Sequence, residues 1–172
     1  MTSLGNIDNS LTMTLKDIVK GILAVSAKMP NVNTTYEGSV YDLNSKPDVE
    51  FSTVVVTQGQ HRYDDQYQTW HFNFVIFYVD KLTNDESNRI DIQSNAIIAL
   101  HNIVRNVNDI FGLESEDEYY DTFTERFTSL CAGGFVSMNF RVPDFNCGYE
   151  IDVDEDEIEV DDNNEVEEEE EP

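Results

Sequence analysis

The sequence predicts an α+β domain: an antiparallel four-stranded sheet with two helices packed on one face, in the order α-β-β-α-β-β, followed by an acidic C-terminal arm. Three observations predict it. Two segments repeat apolar residues at steps of three and four, the helical period. Four segments are rich in β-branched and aromatic residues with alternating character, and the links between neighbouring strand segments are short enough for hairpins. At 172 residues the chain is long enough for one domain with a real core. Residues 1–150 form that domain, and residues 151–172 form the arm.

The first helix lies in "LTMTLKDIVKGILAVSAKMP", where Leu11, Leu15, Ile18, Ile22 and Val25 make one apolar stripe. Thr12 or Thr14 can cap its start, and Pro30 stops it. Asn31 to Pro47 mixes Asn, Gly, Ser and Pro and reads as a long loop with a short edge strand around Tyr36 to Tyr41. Strand chemistry begins at "VEFSTVVVTQ", bounded by Pro47 and Gly59. In "QYQTWHFNFVIFYVDK" the residues Trp70, Phe72, Phe74, Ile76 and Tyr78 alternate, so they share one face, expected to be the core face. The polar "GQHRYDDQ" between the two strands is expected to be a hairpin tip.

The second, longer helix falls in "NRIDIQSNAIIALHNIVRNVNDIF", with Ile90, Ile97, Leu100, Val104, Val107 and Phe111 as its stripe and Asn84 or Ser87 as caps. After Gly112, "GLESEDEYYD" reads as an acidic connector. Then "TFTERFTSLC" and "GFVSMNFRV" make a hairpin joined through Ala132, Gly133 and Gly134. Period-two patterning in Phe123, Glu125 and Phe127, and in Phe135, Ser137 and Asn139, supports these strands.

Charge bounds the partners. The formal net charge is −25, and 14 of the 35 acids lie from Ile151 onward, where there is no Lys or Arg. The first 150 residues still hold 21 acids against 10 bases. Such a chain lacks the clustered bases that displace counterions from a nucleic acid. The N-terminus has no signal-peptide pattern, and the longest apolar run, "FVIFYV", is far below the roughly 20 residues of a membrane span, so a soluble, membrane-free protein is expected. Cys131 and Cys147 stand in no CxxC pattern and are expected as buried free thiols.

Catalytic chemistry finds little to stand on. There is no GxSxG elbow and no glycine-rich phosphate loop, and His61, His71 and His101 read as ordinary surface or half-buried residues. Neither a metal nor a cofactor is expected, and the chain reads as no enzyme. Asp152, Asp154 and Asp156 resemble the opening of an EF-hand loop. However, Glu157 stands where the sharp turn needs Gly, and Asn163 where the bidentate Glu belongs. The arm's Ile151 and Val153, then Ile158 and Val160, alternate as a docked strand would, while a solvated acidic brush is the other reading.

Two segments carry a family resemblance. "TWHFNFVIFYVDKLTNDESNRIDIQSNAIIALHNIV" is similar to the strand, acidic link and long helix of tail terminator or tail-completion proteins of tailed bacteriophages. "SLCAGGFVSMNFRVPDFNCGYE" resembles a C-terminal pattern of such proteins in crAss-like phages of gut Bacteroides. The resemblance spans Val49 to Glu150, and departs from the pattern at Gly134, where Trp is common, and in the acidic extension.

The resemblance implies a structural virion protein of the head-to-tail neck, made in the host bacterial cytoplasm. It would form a homo-oligomeric ring of six or twelve copies that joins portal or adaptor proteins to tail proteins around the DNA channel. A negative subunit repeated around a ring repels DNA and lets it slide. Such a ring closes through a head-to-tail interface, which sheet edges and the arm can supply. The arm would use Ile151, Val153, Ile158 and Val160, set against the bases Arg62, Arg126 and Arg141. The rival expectation is an acidic DNA mimic that occupies the basic cleft of a host enzyme.

Overall fold

The computed structural model describes residues 13–46, 49–127 and 129–143. Among these residues two α-helices pack on one face of a mixed sheet of six strands, so the α+β class holds, while the expected four-stranded antiparallel sheet is too small and of the wrong type. Helix α1 spans Leu15–Ser26. Thr14 caps it through a reciprocal box with Asp17: the Thr14 hydroxyl oxygen accepts from the Asp17 amide (3.2 Å), and the Asp17 carboxylate accepts from the Thr14 amide (3.0 Å). Its buried face is Ile18, Val19, Ile22 and Val25, close to the predicted stripe.

Strand β1, Thr34–Glu37, runs parallel to β2, Thr53–Gln58. This one parallel pair makes the sheet mixed. It is possible because a short 3₁₀ helix, Val40–Asn44, and the following loop carry the chain back before β2 begins. Strand β2 pairs antiparallel with β4, Thr69–Lys81, and the short β3, Arg62–Asp64, continues along the same edge of β4. Between the pairs Gln58↔Phe74 and Arg62↔His71, three residues face two, a bulge across which the Asn73 amide donates to His61 Nδ1 (3.2 Å). Part of the predicted hairpin tip, Arg62–Asp64, is therefore strand, and the turn itself falls at residues 65–68.

Helix α2, Arg89–Phe111, ends at Gly112 in the left-handed conformation (φ 62°), as a glycine stop permits. Its start corrects the prediction: the N-cap residue is Asn88, not Asn84 or Ser87, and Asn88 makes no side-chain capping bond. The Asn88 side chain instead accepts from the Thr83 amide (2.9 Å) and donates to the Lys81 carbonyl, tying the helix to the end of β4. Ile90, assigned to the core stripe, is 65% exposed in the first turn, and the buried stripe is Ile92, Ala96, Leu100, Ile103, Val104 and Val107.

Strands β5, Glu114–Arg126, and β6, Leu130–Pro143, form a long hairpin, and β5 is the edge of the sheet in the order β1-β2-β4-β6-β5. Two corrections follow. The acidic "GLESEDEYYD" is mostly strand, not connector, and Ala132, Gly133 and Gly134 lie inside β6 rather than at the turn. A Cβ at Gly133 would lie 1.9 Å from the Tyr78 carbonyl oxygen and 2.9 Å from the Phe123 ring, so the glycine serves a close backbone approach beneath an aromatic ring.

The main core lies between the helices and one face of the sheet, which is built from Val54 and Val56 of β2, Phe72, Phe74, Ile76 and Tyr78 of β4, and Val136, Met138, Phe140 and Val142 of β6. Trp70 shares that face, as the alternation predicts, but it is 38% exposed at the strand's end, stacked on Phe72 and tilted against Tyr63. A second, smaller core lies on the opposite face, where Val40 and Leu43 of the 3₁₀ helix meet Val79, Phe127 and Cys131. No helix among the described residues is long and apolar enough to cross a membrane.

Candidate interaction surface on the outer face of the sheet

The face turned away from the helices presents its residues in cross-strand rows fixed by the register. The first row runs Arg62, His71, Arg141, Glu114 from β3 to β5, and the next aligns Asn73, Asn139 and Glu116. Then come Thr57, Val75, Ser137 and Tyr119, followed by Val55, Phe77, Phe135 and Asp121. The outer face thus changes along the strands from charged, through polar, to aromatic, and the 3₁₀ helix covers only its last part.

At the charged end His71 Nδ1 stands 3.4 Å from a Glu116 carboxylate oxygen, and the Arg141 guanidinium lies 3.7 Å from Glu116 and 3.9 Å from Glu114. His71, Glu116 and Arg141, with Asp64 and Tyr67, line a depression of about 290 Å³. The His71 side chain is 13% exposed, while those of Arg141 and Glu114 are far more so. Long, solvated ion pairs of this kind contribute about 0–1 kcal/mol, so the cluster shapes a surface more than it holds the fold. In the neighbouring polar row the Asn73 side-chain amide donates to Asn139 (3.0 Å), and Asn139 donates to Asp117 (3.3 Å). Asp117 sits in the left-handed region (φ 55°) at a β5 bulge, where Asp117 and Glu118 together face Met138 alone.

At the aromatic end the rings form a group and a separate pair: Phe77 lies 5.7 Å from Phe135 and 6.3 Å from Phe123, and Tyr119 lies 6.2 Å from Phe135, while Tyr41 lies 6.3 Å from Phe127, centroid to centroid. Between them is a cleft of about 180 Å³ lined by Val40, Tyr41, Phe77, Phe123, Phe127 and Phe135, with Glu125 among its walls. Tyr41 is 66% and Tyr119 57% exposed, so this aromatic group is only half covered. The Tyr119 hydroxyl donates to Asp121 (3.1 Å), and that bond to the carboxylate raises the tyrosine's pKa. Cys131, a free thiol buried beneath the cleft as expected, is pushed up to about 11 by burial and so stays protonated at neutral pH.

The predicted residues separate. Arg62 and Arg141 are brought into one row beside His71, with Arg62 exposed and Arg141 engaged by two glutamates. Arg126 is at the opposite end of β5, its backbone paired with Leu130, outside the row that Arg62 and Arg141 share. Ile151, Val153, Ile158 and Val160, the calcium-like aspartates and Cys147 lie outside the described residues. Among the described residues no group of three His, Cys, Asp or Glu side chains is arranged to hold a metal ion. His71 is half-buried, as the sequence predicts, whereas Glu114, Glu116 and Asp117 stand in what reads from sequence as a connector. The available signal was the alternation of Tyr119, Asp121, Phe123 and Glu125, which places four non-core residues on one face. No protein-family model matches the chain, and no curated protein is significantly similar to it.

Proposed function

We propose that the chain is a structural assembly subunit, and that it forms a homo-oligomeric ring in the head-to-tail connector of a tailed phage, joining a portal or adaptor ring to the tail around the DNA channel. The observation that carries the assembly reading is the half-covered outer face. Phe77, Phe123 and Phe135 sit there beside the exposed Tyr41 and Tyr119, next to a 13-residue edge strand. Contiguous aromatic surface rimmed by polar groups is the ordinary composition of a protein–protein contact. The connector assignment adds the family resemblance of Val49 to Glu150 and the net charge of −25, which suits a lumen that must pass DNA without binding it.

Native mass spectrometry and negative-stain images of the purified full chain, alone and with a portal-side partner, test this. A closed ring of six or twelve copies is expected. A chain that stays monomeric under both conditions and binds a host DNA-processing enzyme tightly overturns the connector reading in favour of DNA mimicry.

A further inference from the structure

Among the described residues strand β5 is bonded on one side only, to β6. Roughly half of an edge strand's backbone donors and acceptors point outward, a template for another strand unless shortness, lysine, proline or a bulge blunts it. The bulge between Glu116 and Tyr119 interrupts this edge once. Beyond it, residues 119–126 run regularly, without proline or lysine, and include Tyr119, Tyr120, Thr122, Phe123 and Thr124, all good strand formers.

We infer that the outer edge of β5 over residues 119–126 docks an extended segment of a partner rich in Lys and Arg, with one cationic side chain of that segment seated in the aromatic cleft beside Phe123. Charge selects this occupant. Strand β5 carries six acids (Glu114, Glu116, Asp117, Glu118, Asp121 and Glu125) against one base, Arg126, so a second copy of the same strand would be repelled. The 14 acids of residues 151–172 are repelled in the same way, as is nucleic acid. Asp121 and Glu125 are exposed and flank Phe123 at alternate positions on the outer face, where the side chains of an added strand would lie. The cleft is walled by rings, and a ring face attracts a desolvated cation. The chain already uses that contact around its smaller core: Lys46 Nζ stands 3.6 Å from the centroid of Tyr36, and Lys81 Nζ 5.1 Å from that of Phe51. The inference rests on the reading of this face as an assembly surface and names the chemistry of what it takes.

The probe is a 12-residue peptide alternating Arg with Val, its control the same peptide with Glu for Arg, and the target the full chain. Binding of the Arg peptide only, with slowed amide exchange in residues 119–126, is expected. The double variant Asp121→Lys, Glu125→Lys, both exposed and outside the cores, should weaken binding about tenfold at low salt. Binding that leaves β5 exchange unchanged, or that the double variant does not weaken, overturns the inference and assigns basic partners to other acids of the chain. Ring formation is read separately by mass, so a ring that ignores the peptide removes this inference alone. A monomer that binds it at β5 removes the ring alone.

Discussion

The two faces of the sheet are made by the same strands, yet they are different materials. On the inner face Phe74, Ile76, Val136 and Phe140 are fully buried under α1 and α2. Their immediate neighbours in sequence, Val75, Phe77, Phe135 and Ser137, point outward and are only partly buried. Burying a Phe or Ile contributes about 1.5–3 kcal/mol, so the inner face accounts for most of the stability. Beyond its smaller core, the outer face is left to shape and charge. Its aromatic rings are as large as those of the core, and what separates Phe140 from Phe135 is one residue of register and the presence of a helix above it.

Truncation tests that contrast most directly. Phe140→Ala should cost about 3–5 kcal/mol, whereas Phe135→Ala, on the outer face, should cost about 1 kcal/mol, both read from urea midpoints at constant m-value. Equal costs would make the outer face a second full core and remove the case for an interaction surface there. Gly133→Val tests where the two faces are joined. A side chain there meets the Tyr78 carbonyl and the Phe123 ring, so a loss on the order of 2–3 kcal/mol is expected, with changed shifts of the Phe123 ring protons. A neutral substitution would show that β6 can move away from β4 without cost.

The smallest effect belongs to the loop that leads into α2, the longer of the helices covering the inner face. The Asp85 carboxylate accepts from the Thr83 hydroxyl (2.7 Å) and from the amide and hydroxyl of Ser87, and these bonds, Thr83's first, lower its pKa from 3.8 to about 2. A lowered carboxylate stabilises the fold above its unfolded value, and that contribution is lost as pH falls through the folded value. The loss therefore lies between about 4 and 2. An NMR titration of Asp85 should show a midpoint near 2, and a midpoint near 3.8 would mean that the loop does not hold the acid.

Much of this was legible in the sequence, and the misses have physical causes. The period of α1 and its Thr14 cap were readable because both are local. The first half of β5 was not, because Glu114, Glu116 and Asp117 have poor strand propensity. Glu114 and Glu116 extend only because β6 offers a ladder, with Arg141 and His71 positioned opposite their carboxylates. Paired glycines usually turn, whereas those of "CAGGF" admit close packing between strands distant in sequence. That Arg62 and Arg141 share a row and Arg126 does not follows from pairings far apart along the chain.

What the sequence determined by itself was the period of each element, and with it the residues that share a face, since side-chain direction follows from backbone geometry alone. It also determined the acidity. Which face is covered, and how far, was decided only by the tertiary structure. Trp70 lies on the core face by alternation yet is partly exposed, because the apolar cover stops short of the strand's end. Ile90 belongs to α2 yet faces water for a similar reason. Burial depends on what the rest of the chain places above a residue, and that arrangement is set by long-range strand pairing and helix packing together.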